Sequence, residues 1–243
     1  DFVMFTGDLV NYPKISELQK FTSHVNNLMY PWYAIAGNHD ISIDGPLTKD
    51  KFIAILAQAN DNMNQKHIYY AFTPKKGFRV ICLDSIIDYK LTANGEISNE
   101  EFMWLKEELD EHPKDTIIVC THVPIIEPYS SSNHKMLNEY EVRKLLKTHK
   151  NPLIVLQGHY HAVKIKQDDN MLVITSPSLV TYPNAFRVIN INSNKNRTLV
   201  DVYLKETNLK DIQTRSKLRL MGTEKLYGEE CDRNASFELG RKD

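Results

Sequence analysis

Asp8, Asn38, His122, His159 and His161 offer a carboxylate, an amide carbonyl and three imidazoles, each just after a short apolar run. They lie in Gly7-Asp8, Gly37-Asn38-His39-Asp40, Thr121-His122 and Gly158-His159-Tyr160-His161. Mixed nitrogen and oxygen donors without thiolates suit Mn, Fe, Zn or Co. An aspartate can bridge two cations, and two metals about 3.5–4 Å apart can activate a hydroxide and clamp a phosphoryl group. His159 and His161 are two residues apart, so an extended backbone sends both imidazoles to one side, toward adjacent metals. His39 follows the donor Asn38 and points elsewhere, free to protonate a leaving oxygen as general acid. Asp40 is placed to orient that imidazole and raise its pKa.

Taken singly, these pieces read as structure. Gly-Asp is a common turn, and a lone histidine after Thr121 is ordinarily a satisfied one. Their order and their shared placement after strands argue against packing alone. His24, His67, His112, His134 and His149 lack ligand-like company and read as structural. Arg187, leading into a strand, reads as a surface or ion-pair residue ahead of a phosphate contact.

Such a site needs strands that end close together. Apolar runs predict strands over Phe2–Phe5, Trp32–Ala36, Tyr69–Phe72, Phe78–Leu83, Thr116–Cys120 and Leu153–Leu156. Helical spacing predicts helices over Lys14–Leu28, Leu47–Asn60 and Leu137–Lys147. A further helix starts at Ser98, with Glu101 completing a capping box, and stops before Pro113. After Ala162 the pattern becomes strand-rich: Val163–Lys166, Leu172–Thr175, Phe186–Ile191 and Leu199–Leu204, with a closing helix over Lys210–Leu220. This alternation predicts a layered α/β domain over residues 1–220, and a loosely packed polar tail over 221–243. In open α/β sheets, ligands gather beyond the carboxyl ends of strands, where these donors fall.

The bulk numbers fit that picture. A chain of 243 residues suffices for one large domain. A net charge of −1 gives no basic field for nucleic acid. No apolar run approaches a membrane span. Cys82, Cys120 and Cys231 form no disulfide framework, so a reducing, cytoplasmic setting is expected.

At these residues the chain resembles the calcineurin-like metallophosphoesterase superfamily, from Phe2 to about Ile191. The four pieces look like its second to fifth motifs, in order. Gly95 to Leu109, with Trp104-Leu105, is similar to a segment of the cyclic-nucleotide-phosphodiesterase-like branch. The resemblance implies a four-layered α/β/β/α sandwich and a small phosphate-ester substrate, hydrolysed by a hydroxide activated between two metals. It implies that Asp8 bridges, that Asn38, His122 and His159 complete one metal position, that His161 serves the other, and that His39 is the acid. Phosphodiesters are the expected substrates; monoesterase, pyrophosphatase and non-catalytic scaffold are the alternatives. The family's first motif, Asp-x-His on a preceding strand, has no counterpart ahead of Gly7-Asp8. The chain also opens on Asp1, already entering a strand. The expectation is an N-terminally truncated, weakly active chain whose first strand is missing and whose second metal position keeps only Asp8 and His161.

Overall fold

The computed structural model describes residues 1–219 and 224–241. Three sheets carry the chain. The largest has six strands: β3 (Tyr70–Phe72), β4 (Phe78–Cys82), β5 (Thr116–Thr121), β6 (Leu153–Gln157), β7 (Lys164–Asp168) and β8 (Met171–Thr175), in the order β3-β4-β5-β6-β8-β7. β4, β5, β6 and β8 run parallel, while β3 and β7 are antiparallel edges. Nearly every residue of β5, β6 and β8 is buried. That is why they read as unbroken apolar runs rather than alternating ones. The fold is therefore mixed α/β around a mixed central sheet: one helix links β4 to β5, α4 (Glu139–Leu146) links β5 to β6, and β6 reaches β8 through the edge strand β7.

β1 (Val3–Phe5) and β2 (Trp32–Ala34) form a parallel pair joined through α1 (Ile15–Val25). Each ends shortly before a donor piece, Gly7-Asp8 or Gly37-Asn38. Leu18 on α1 and Phe52 and Leu56 on α2 (Lys49–Ala59) are fully or almost fully buried. One hydrophobic cluster joins residues of all three sheets, from Trp32 through Val119 and Val155 to Val200 and Leu239.

α3 (Asn99–Glu111) begins as expected, with the Ser98 hydroxyl accepting from the Glu101 N–H at 3.1 Å. The second half of the expected capping box does not form. Glu101 turns inward, is 1% exposed, and accepts the Asp84 N–H at 2.7 Å. Asp84 in turn binds Lys49 Nζ at 2.7 Å, so α2, α3 and the loop after β4 share one buried polar knot.

The third sheet has β10 (Arg197–Glu206) between β9 (Ala185–Ser193) and β11 (Asn234–Gly240), both antiparallel to it. β11 corrects the expectation of a loose tail from 221 onward. It pairs with β10 over seven positions, from Arg197↔Gly240 to Tyr203↔Asn234. Just before it lies the short helix α6 (Glu230–Arg233). Buried Asp232 in α6 accepts from the Ile165 N–H at 3.1 Å and from Lys164 Nζ at 2.8 Å. Polar residues alternate here with Ala235, Phe237 and Leu239, a pattern that disguises a strand with one buried face. Residues 221–223, 242 and 243 of that stretch, and Leu220 of the closing helix, lie outside the described residues; α5 covers Lys210–Arg219.

Candidate metal centre

Asp8 and Asn38 follow β1 and β2, and His122 and His159 follow β5 and β6. His122 is the hub. Its Nε2 lies 3.1 Å from His159 Nδ1, 3.2 Å from Asn38 Oδ1 and 3.4 Å from Asp8 Oδ1. Donor atoms of Asp8, His122 and His159 all fall within 4.8 Å of one another. The other ring nitrogen of His122, Nδ1, donates to the Thr6 carbonyl at 2.7 Å. That bond holds the Nδ1 proton and aims Nε2 at the group, as a carbonyl behind a metal-bound histidine does.

These residues fit a divalent cation. Ligands about 2.1 Å from an ion stand about 3.0 Å apart in octahedral and about 3.4 Å apart in tetrahedral geometry. The three separations from His122 Nε2 span that interval. A single ring proton can serve one of the three partners well, whereas a cation draws all the lone pairs together. His159 Nε2 is buried and has no hydrogen-bond partner among the described residues.

The electrostatics point the same way. Burial disfavours the Asp8 charge, but the His122 imidazole and its hydrogen bond, with the His39 N–H, hold the carboxyl well below the usual range. Burial disfavours His122 as a cation too, yet Asp8 raises its pKa. His159 is pushed down to about 3 by burial and then by His122. A histidine so easily left neutral keeps a lone pair for a metal.

The backbone is shaped around the group. Asp8, His159 and His161 have φ of 55°, 66° and 52°, in the left-handed region that L-residues rarely adopt. Such strain gathers at functional sites. Gly7 is also left-handed, at φ 90°, and a Cβ there would stand 2.4 Å from His122 Nδ1.

Three expectations change here. The Gly158–His161 backbone is a tight turn rather than an extended stretch, with the Tyr160 N–H donating to the Gly158 carbonyl at 2.7 Å. His159 and His161 therefore do not leave one side as strand neighbours. His161 stands outside the group, with its Nδ1 3.1 Å from Thr181 Oγ1. Asp40 does not orient His39. It is fully buried, and its two oxygens accept the Val10 N–H at 3.0 Å and the Gly37 N–H at 2.7 Å. Asp40 thus ties the loop after β1 to the loop after β2.

His39 is held instead by Asn11, whose carbonyl lies 3.0 Å from Nδ1. Its backbone N–H donates to Asp8 Oδ1 at 3.0 Å, and the side chain is exposed. Arg187 departs from its expected surface or ion-pair role: it is half-buried, and its guanidinium donates to the backbone carbonyls of Thr175, Asp232 and Arg233. The Asp-x-His spelling does occur once, as Asp110-Glu111-His112. His112 pairs with Asp115 at the amino end of β5, whereas the donor group lies at its carboxyl end.

His134, which lacks ligand-like company in the sequence, has its ring 5.2 Å from that of His159. No spacing rule links it to the other histidines. The carbonyls of Thr6 and Asn11 were equally invisible, because a backbone contact leaves no residue-type signature.

Residues 1–163 match the model of a family described as calcineurin-like phosphoesterase. Two curated relatives are similar over much of the chain. One is a "Probable glycerophosphodiester phosphodiesterase GpdQ" of Arcobacter nitrofigilis, 25% identical over 73% of this chain and 63% of its own length. The other is a "Probable cyclic nucleotide phosphodiesterase" of Psychrobacter arcticus, 24% identical with the same coverages. The chain thus spans under two thirds of these relatives. Among solved structures, a dimetal phosphatase from Danio rerio has a TM-score of 0.56 at 16% identity, covering 76% of this chain and 73% of its own. GAP50, "the anchor in the inner membrane complex of Plasmodium", also scores 0.56, at 14% identity, with 100% and 79% covered.

Proposed function

We propose that this chain, which belongs to the calcineurin-like phosphoesterase family, is a metal-dependent hydrolase acting on phosphodiesters. The observation that carries this reading is the convergence of Asp8, Asn38 and His159 donors within 3.1–3.4 Å of His122 Nε2. Asp8, Asn38, His122 and His159 would hold one metal, and Asp8 with His161 would serve a second; the donor chemistry suits Mn, Fe, Zn or Co. When bound, such metals supply Lewis acidity to phosphoryl oxygens and lower the pKa of water.

The chain's own residues do the rest. Thr6 and His122 fix which nitrogen faces the group. His39 presents Nε2 outward while Asn11 holds Nδ1–H. On giving its Nε2 proton to a leaving alkoxide, His39 becomes the neutral Nδ1–H tautomer, which the Asn11 carbonyl favours. Asp40 acts beneath this machinery by fixing Gly37 and Val10.

Diesters are favoured over monoesters and pyrophosphates by the names of the relatives, a glycerophosphodiester and a cyclic nucleotide phosphodiesterase among them. A structural neighbour named as an anchor gives the scaffold reading its footing, because one fold hosts many functions. The clustered donors and the outward His39 weigh against it. A four-layered α/β/β/α arrangement, with the two smaller sheets together facing the six-stranded one, accords with the hydrophobic cluster that joins residues of all three sheets. Three free cysteines accord with a reducing compartment.

The test is His39→Ala with bis(nitrophenyl) phosphate as substrate. Turnover should fall by about a hundredfold or more while metal affinity stays. Unchanged turnover contradicts the assignment of His39 as the acid.

A further inference from the structure

The His159 ring is a donor with unusual freedom to go wrong. His122 has a carbonyl behind it at 2.7 Å, but among the described residues none closes a hydrogen bond on His159 Nε2. Its backbone sits at φ 66°. Its Nδ1 meets His122 Nε2 at 3.1 Å in only one of the two ring orientations, and packing holds that orientation.

That packing comes from three rings. His122 meets His159 edge-on at 4.9 Å and 66°, and Tyr160 meets it at 5.8 Å and 76°. The third is His134, tilted at 42° with its centroid 5.2 Å away. His134 is itself held, with Nδ1 2.8 Å from Asn133 Oδ1 and 3.2 Å from Ser131 Oγ. Its loop is tied down on both flanks. Gly95 N–H donates to the Lys135 carbonyl at 3.0 Å, Leu137 N–H to the Gly95 carbonyl at 2.7 Å, and Lys135 N–H to Asn94 Oδ1 at 3.1 Å. The same strap brings the Ala93 backbone to the His159 ring.

We propose that His134 is a positioning residue, which covers the His159 ring and keeps His159 Nδ1 turned toward His122, Asp8 and Asn38. This rests on the metal-site reading, and it adds a residue that touches neither metal nor substrate. The ring face of His134 does the work, so a phenyl ring can replace it.

The experiment compares wild type, His134→Ala and His134→Phe in two measurements. In Co2+ titrations followed by visible absorption, His134→Ala should bind about 10–100-fold more weakly, and His134→Phe within about threefold of wild type. In metal-free protein, the side-chain 15N signals of His159 should report one tautomer in wild type and His134→Phe, and an averaged pair in His134→Ala. Wild-type Co2+ affinity in His134→Ala overturns the proposal, as does a Phe variant as weak as Ala. If wild type takes up no Co2+, the metal reading fails by itself; the 15N signals still decide, and unchanged His159 signals in His134→Ala overturn the positioning role.

Discussion

The Asp8 carboxylate lies against the bare Cα of Gly37, so closely that a Cβ there would stand 2.2 Å from Asp8 Oδ1 and 2.2 Å from the Asp8 amide nitrogen. These atoms are backbone and a short side chain, with no flexible end to swing aside. The loop after β2 can deliver Asn38 beside Asp8 only because residue 37 has no side chain. Gly37→Ala should displace Asp8 and weaken metal binding by about tenfold or more. A Co2+ titration with a parallel circular dichroism spectrum checks this. Wild-type affinity in a folded variant contradicts it.

Asp40 ties the same two loops from below. Burial pushes its carboxyl up to about 7, against the hydrogen bond from the Gly37 N–H and with the Asp8 charge adding to the rise. Asp40→Ala leaves the buried Val10 and Gly37 N–H groups without acceptors, at about 1–3 kcal/mol each. Urea unfolding should show that loss as a lower midpoint. A midpoint equal to wild type contradicts the role.

Glu101 should leave a mark on the pH dependence of stability. Burial, then the Asp84 charge, raises its carboxyl well above the ordinary glutamate value. The folded protein keeps a proton that the unfolded chain releases. The contribution is therefore whole below the ordinary glutamate pKa and declines as pH rises toward the folded value. Glu101→Gln can still accept the Asp84 N–H and has no proton to lose. The Tm of the variant minus that of wild type should grow from about pH 5 to about pH 8. Parallel Tm profiles contradict this.

The donors could be read from the sequence because each is a side chain with a diagnostic chemistry placed after an apolar run. Buried parallel strands such as Val119 and Val155 announce themselves by continuous apolar character. What could not be read depended on contacts between distant segments. Asp40 follows His39 in sequence, which places it next to that imidazole on paper, yet both its oxygens face backbone N–H groups. Glu101 has capping-box spacing, yet its carboxylate is drawn inward to Asp84, seventeen residues away in sequence. His159 and His161 have strand spacing, yet left-handed residues turn the chain between them. Phe237 and Leu239 sat among charges and read as tail until pairing with β10 gave them a buried side. His134 had no pattern to betray it, because its partner is a ring presented by another loop.

A metal held by Asp8, Asn38, His122 and His159 would be visible in a crystal. Crystals grown with Mn2+ or Zn2+, with data collected at the metal's absorption edge, give an anomalous difference map. The expected result is a peak about 2.0–2.3 Å from Asp8, Asn38 Oδ1, His122 Nε2 and His159 Nδ1. A map with no peak among those four residues, at metal concentrations that saturate binding in solution, would contradict it.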